Sequence, residues 1–402
     1  MTTVARPRDV SPEELVQRAA DMRPYLREKA PDVERNNRVS TEIAEAMHER
    51  DFFRILQPRR FGGLEYDLAT AIRCVIEWAS ADGSIGWVGG LATIHQWCVA
   101  QFPLECQEDV WGDTPSAIVC GSYAPAGECI AVEGGYRITG EYHFTSGVDI
   151  MDWSMVGVFL PAEKEGGARA PAFLLVPKSD YTVLDNWHVM GLAGTGSKTI
   201  TCDNVFVPKH RCVTFAELAS SNSPGAQALD SSLYRYPIMS FVPYSIASPS
   251  LGCLRGALDA FLESIVGRST RGAVVLGGNR VRDFQAVQMR VGKAMGNMKA
   301  ARALIFDQIE ASRAKVADRG EVLDLGDRMD NRLAQAKAVE LSVTGLDELF
   351  GAVGGQGLDT SHYIQRAWRD ANAMAHHISF NWDALSSMYG QYLLGLPPQG
   401  QY

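Results

Sequence analysis

The sequence predicts an α+β fold in three parts: an N-terminal helical domain over 1–114, a middle antiparallel β domain over 115–220, and a C-terminal helical bundle over 221–402 that begins with a lid-like loop. Three observations carry this. Apolar residues recur at helical spacing through the first hundred positions. From 115 to 215 they give way to short runs rich in Val, Ile, Phe and Thr, separated by turn residues. Beyond 245 helical periodicity returns in segments long enough for a bundle.

The elements follow in order. Ser11-Pro12-Glu13-Glu14 is a helix start, with a hydroxyl cap, proline at the first position and an acid three residues past the cap. A second start falls at Ser40, ahead of "TEIAEAMHERDFFRIL". "PRRFGGLEYD" breaks the pattern with Pro58, Gly62 and Gly63. "LATAIRCVIEWASADGSIGWVGGLATIHQWCVAQF" then reads as two apolar helices split near Asp82-Gly83-Ser84. The strand-like runs are "SAIVCGSYAP", "ECIAVEGGYRITGEYHFTSG" turning at Gly134-Gly135, "DWSMVGVFL", "PAFLLVPKS" and "KTITCDNVFVPKHRCVTF". Their spacing suggests a barrel or a sandwich. "FAELASSNSPGAQALDSSLYRYPIMSFVPY" is the lid-like stretch, and three long periodic segments follow it.

Composition narrows the function. The 402 residues are 46% hydrophobic and 21% charged, as in ordinary globular proteins. Formal net charge is −9 with no basic run, so nucleic acid is not expected as a partner. No apolar run is long enough to cross a bilayer and the start lacks a signal-peptide core, so no membrane association and a cytoplasmic location are expected. The eight cysteines (74, 98, 106, 120, 129, 202, 212, 253) are scattered without a C-x-x-C pair. That spacing fits neither a zinc site nor a disulfide framework, and no metal is expected.

No dinucleotide fingerprint, P-loop or H-E-x-x-H is present. "GTGSKT" at 194–199 reads either as a structural turn or as a loop lining a site beside the β domain. "HFTSG" at 143–147 ends a strand in two hydroxyls, Thr145 and Ser146, followed by Gly147. His95 closes the apolar run "WVGGLATIHQW", where a buried imidazole needs a partner. His376 and His377 are adjacent, and helical neighbours point about 100° apart, so at most one of them faces a given site.

"GLAGTGSKTITCDNVFVPKHR" resembles the central-domain signature of the acyl-CoA dehydrogenase superfamily. It looks more like the flavin-dependent monooxygenases on that fold, the oxygenase components of two-component aromatic hydroxylases. "SADGSIGWVGGLATIH", "GGYRITGEYHFTSGVDIMDW" and "HISFNWD" occur in the matching order, so the resemblance spans essentially the whole chain. It implies N-terminal helices, a middle β-barrel and a C-terminal four-helix bundle that forms homotetramers.

The resemblance implies reduced FMN or FAD, supplied by a separate NAD(P)H-dependent flavin reductase, with O₂ as co-substrate. A phenolic or related small aromatic would be hydroxylated through a flavin C4a-hydroperoxide. Ser146 would stand by flavin N5 as a hydroxyl donor, with Thr145 and Gly147 beside it, and His377 would assist oxygen chemistry. His95 would take the phenolic proton, in a pocket shared with Trp87 and Trp97. Arg268, Arg280, Phe284, Gln285, Gly354 and Gly355 would hold the nucleotide end. Dehydrogenation is the rival reading, but no glutamate follows Arg369-Asp370 in "ANAMAHHISFNWD". Oxygenation of sulfur, nitrogen or an indole ring on the same fold is a further alternative, as is a non-catalytic assembly role. Two departures from the family pattern stand out: Ala193 replaces a common arginine and Tyr142 a tryptophan.

Overall fold

The computed structural model describes residues 10–162, 164, 166–269 and 280–402. Among the described residues six α-helices come first: α1 (Pro12–Asp21), α2 (Arg23–Arg35), α3 (Thr41–His48), α4 (Leu68–Ala79), α5 (Gly83–Val99) and α6 (Leu104–Trp111). The Ser11 hydroxyl accepts the Glu14 N–H at 3.1 Å, and Ser40 caps α3 in the same way. The break between α4 and α5 falls where Asp82 turns the chain and accepts the Ile85 N–H at 3.1 Å. All seventeen residues of α5 are buried, so this helix is covered on every side, as its nearly unbroken apolar sequence requires.

Eight strands follow: β1 (Val119–Ser122), β2 (Glu128–Val132), β3 (Gly135–Thr145), β4 (Trp153–Phe159), β5 (Pro171–Pro177), β6 (Thr182–Leu184), β7 (Lys198–Pro208) and β8 (Cys212–Thr214). They form two four-stranded sheets, ordered β1-β4-β5-β8 and β2-β3-β7-β6. One pair departs from the expected antiparallel pattern, because β1 and β4 run parallel. The β2–β3 hairpin lies in the other sheet, so the chain makes the long crossover that a parallel pair needs.

The remaining helices are α7 (Phe215–Ala219), α8 (Pro224–Ala228), α9 (Ile238–Phe241), α10 (Pro243–Ile265), α11 (Gln285–Arg313), α12 (Leu325–Val353), α13 (Tyr363–Ala375) and α14 (Trp382–Leu393). The segment expected as a lid-like loop is instead short helices tied into the core. Ser223 donates to Gln101 Oε1 at 2.7 Å, Trp97 donates to the Leu233 carbonyl at 2.8 Å, and Tyr234 is fully buried. Its aromatic residues supply apolar area that outweighs its turn-rich composition.

α10 packs against α4 and α5 on one side and α12 and α13 on the other, joining the outer domains. Where α5 begins, a Cβ on Gly83 would sit 2.7 Å from that of Asp370, so only glycine lets α13 come this close. Asp370 accepts the Leu192 N–H at 2.7 Å, fixing that residue at φ +56° in the β domain. Arg366 reaches Asp82 at 3.2 Å. Burial, then the neighbouring Asp82, pushes the Asp370 carboxyl up to about 8. All three parts of the chain meet at this knot.

Candidate active site

The β3–β7 register slips between Tyr142↔Ile200 and Thr145↔Lys198, leaving one extra residue on β3. This bulge puts Phe144 at φ +59° with its ring 71% exposed. It bends the strand end so that the next side chains turn toward α5. Thr145 is fully buried and its hydroxyl donates to the Tyr142 carbonyl at 3.2 Å. Its one hydroxyl hydrogen is therefore used within its own strand, and only the oxygen lone pairs remain for another partner. Gly147 has φ +76°, and a Cβ there would lie 2.8 Å from Met151 Cε and 2.9 Å from Val88 Cγ1. Protein packing accounts for this glycine, whatever approaches the site.

Ser146 lies between domains. Its Oγ is 2.6 Å from Ser197 Oγ and accepts the Trp87 indole N–H at 3.2 Å. Ser197 is 2.6 Å from Thr195 Oγ1, which donates to the Leu192 carbonyl at 2.8 Å. The "GTGSKT" stretch thus lines the site. Trp87 also stands edge-on to His377, with ring centroids 5.7 Å apart. The structure brings Trp87, Ser146 and His377 together from three domains.

His377 Nδ1 accepts the Ser379 N–H at 3.1 Å. Burial, helped by the Arg332 charge, pushes its pKa down to about 4, so the ring is neutral at physiological pH. Arg332 on α12 is 3% exposed and, among the described residues, bonds only neutral groups, Gln335 Oε1 at 2.6 Å and the Ser379 carbonyl at 2.9 Å. His376 is exposed and turned onto the Asn372 carbonyl.

His95 is 1% exposed, with Nδ1 2.7 Å from the Val119 carbonyl. A carbonyl only accepts, so Nδ1 carries the hydrogen and Nε2 presents a lone pair. Among the described residues that Nε2 is buried without a protein partner. Burial pushes the imidazole down to about 4 although the Val119 bond opposes this. Eight residues separate Trp87 from His95, about 12 Å along the helix and about 80° around it. The Tyr123 ring lies 5.8 Å from His95. Trp97, expected beside the substrate, is on another face, stacked on Phe241 at 4.6 Å with its N–H satisfied by Leu233. Two residues along a helix rotate a side chain by about 200°, which separates it from His95. A cavity of about 240 Å³ lies near Phe241, lined also by Tyr66, Tyr236, Tyr244 and Asn331; none of the expected site residues borders it.

The expected nucleotide-end residues form a second group. Arg268 donates to the Val353 carbonyl, and its Nη2 would lie 3.1 Å from a Cβ on Gly354, which has φ +70°. Ser269 and Arg280 form a β-bridge, and Phe284 precedes α11, which starts at Gln285. Arg280, Gln285, Gly354 and Gly355 are exposed. Among the described residues no hydrogen bond or ring contact joins this group to Ser146, Trp87 or His377 in one chain. Nor, among them, could any group of three His, Cys, Asp or Glu side chains hold a metal.

Sequence reasoning missed Ser197, Thr195 and Arg332. The first two of the three hydroxyls in "GTGSKT" are that pair, and the stretch was a usable signal for them; nothing local marks Arg332.

Comparison with known proteins gives the context. Family models described as Acyl-CoA dehydrogenase, N-terminal domain, and Acyl-CoA dehydrogenase, C-terminal domain, match residues 13–111 and 244–382. The chain is 42% identical to the FADH(2)-dependent resorcinol hydroxylase, oxygenase component, of Rhizobium sp. (strain MTP-10005), covering 96% of each chain. Its structure matches that of 3-HSA hydroxylase from Rhodococcus sp. RHA1 with a TM-score of 0.91 at 32% identity, over 96% of this chain and 98% of that one. It also matches XiaF from Streptomyces sp. in complex with FADH2 and glycerol, with a TM-score of 0.89 at 26% identity, over 97% and 99% of the two chains.

Proposed function

The chain belongs to the oxygenase components of two-component flavin-dependent monooxygenases, built on the acyl-CoA dehydrogenase fold, and we propose that it hydroxylates a small phenol next to the ring hydroxyl. The observation that carries this reading is the unpartnered Nε2 of His95. A buried neutral imidazole whose other nitrogen is held by a carbonyl is a fixed hydrogen-bond acceptor. A phenolic O–H satisfies it, and as the proton moves toward Nε2 the ring gains electron density at the ortho carbon. The resorcinol hydroxylase relative supports a phenolic substrate.

The residues present fit a reduced flavin. Ser146 offers a hydroxyl oxygen at the domain junction, Trp87 holds it, and the neutral His377 stands beside Trp87. Reduced flavin, when bound, would supply the two electrons that activate O₂, one atom of which goes to the ring while the other leaves as water. The name of the resorcinol relative and the FADH2 complex of XiaF favour FAD over FMN. Arg268, Arg280, Phe284, Gln285, Gly354 and Gly355 hold the nucleotide end for a neighbouring subunit of a homotetramer, which reconciles their separation from Ser146 within one chain. A separate NAD(P)H-dependent reductase delivers the flavin. Eight free cysteines, seven of them buried, support a reducing cytoplasm.

Acyl-CoA dehydrogenation is disfavoured by the site itself. The carboxylate nearest His377 in the preceding helix is Asp370, which is 2% exposed and bonded to Leu192. It is not free to abstract a substrate proton. The test is a pair of substrates: a phenol and its O-methyl ether, offered with reduced FAD in air. Turnover of the phenol alone is expected; equal turnover of the ether would remove His95 from its role.

A further inference from the structure

The hydroxyls behind Ser146 have only one arrangement of hydrogens. Thr195 Oγ1 is 2.8 Å from the Leu192 carbonyl, which has no hydrogen to give, so Thr195 donates there. Its single hydrogen is then used. Ser197 Oγ lies 2.6 Å from Thr195 Oγ1, so the hydrogen between them is that of Ser197. By the same step the hydrogen in the 2.6 Å contact between Ser146 and Ser197 is that of Ser146. Trp87 Nε1 can only donate, and takes one lone pair of Ser146. What Ser146 has left is one lone pair and no hydrogen. The donor role expected for it from the sequence is reversed.

We propose that the Thr195–Ser197 relay makes Ser146 an obligate acceptor, so that the site selects reduced over oxidised flavin. The inference rests on the reading that Ser146 faces flavin N5. In reduced flavin N5 carries a hydrogen and donates to the Ser146 lone pair. In oxidised flavin N5 is itself a lone-pair acceptor, and two acceptors facing each other repel. Thr195 and Ser197 are positioning residues here, acting through Ser146. All three are at least nine-tenths buried, which keeps water from supplying the missing hydrogen. The arrangement suits an oxygenase whose flavin arrives reduced and must leave once oxidised.

Thr195→Val removes the acceptor for Ser197 and little volume. Ser197 then turns its hydrogen to Ser146, and the Ser146 hydrogen turns toward the flavin. Ser197→Ala frees the same hydrogen without touching Thr195, and carries the test should Thr195→Val not fold. Thr195→Ser keeps the relay. The measurement is anaerobic equilibrium binding of reduced and of oxidised FAD and FMN to the full-length protein and each variant. The ratio of oxidised to reduced dissociation constants is expected to fall by about tenfold in Thr195→Val and Ser197→Ala, roughly one hydrogen bond's worth. It should recover in Thr195→Ser. A wild-type preference that survives both substitutions overturns the relay alone. Wild-type protein that binds neither redox form removes the flavin reading beneath it.

Discussion

The Trp87 indole N–H crosses from the N-terminal helices to the β domain and donates to Ser146 Oγ over 3.2 Å. The same ring is edge-on to His377 of the C-terminal domain. Trp87→Phe keeps an aromatic ring and loses the donor. The variant should fold, with Ser146 held less firmly. Product formed per reduced flavin consumed should fall several-fold, with H₂O₂ making up the difference. Unchanged coupling would show that this contact does not serve the chemistry.

His95 titrates low because it is buried, and this has a sign. The unfolded ring takes a proton below about 6.5, whereas the folded ring resists until about 4. Stability from this residue is complete above pH 6.5 and is lost as pH falls toward 4, by about 3 kcal/mol in all. Wild type should lose that much more than His95→Gln between pH 7 and 4 in denaturant melts. His95→Gln should also lose phenol hydroxylation by about a hundredfold or more while flavin is still oxidised. An imidazole NMR titration with a midpoint near 6.5 would contradict the neutral-acceptor role.

Gly147 tests packing against ligand approach. Gly147→Ala forces an L-residue to φ +76° and a methyl onto Met151 and Val88. Flavin-free protein should lose about 1–3 kcal/mol of stability. A variant as stable as wild type but deficient in flavin binding would return Gly147 to the approach role that the sequence implied.

Arg332 carries a charge into the core, and among the described residues no carboxylate is a hydrogen-bond partner. Arg332→Met should leave stability unchanged or raise it, since an apolar side chain of similar length avoids desolvating the guanidinium. The His377 titration midpoint, followed by NMR without flavin, should move up but stay below 6.5, because burial is the larger cause of its depression. A midpoint that does not move would mean that Arg332 does not act on His377.

The helix starts at Ser11 and Ser40, and the split near Asp82, were legible because capping and breaking are local properties of a few residues. So was the strand-rich middle, where β-branched runs alternate with turns. The parallel β1–β4 pair was not, since strand partners some thirty residues apart follow from topology rather than pattern. The short helices within 215–245 were hidden for a related reason: turn residues dominated the local signal, while Trp97 on α5 and Gln101 in the turn after it anchor the segment. At the site, His95, Trp87, Ser146 and His377 could be picked out by type and resemblance. The direction of the hydrogen bonds around Ser146 depends on Ser197 and Thr195, some fifty residues away, and only coordinates reveal it.

The most direct measurement is the fate of oxygen. The protein, reduced FAD and a phenol such as resorcinol are combined under ¹⁸O₂, and the products are analysed by mass spectrometry. A dihydric or trihydric product carrying one ¹⁸O atom is expected, with yield lost in His95→Gln. Unlabelled product, or all reducing equivalents recovered as H₂O₂ across a panel of phenols, would contradict a phenol hydroxylase.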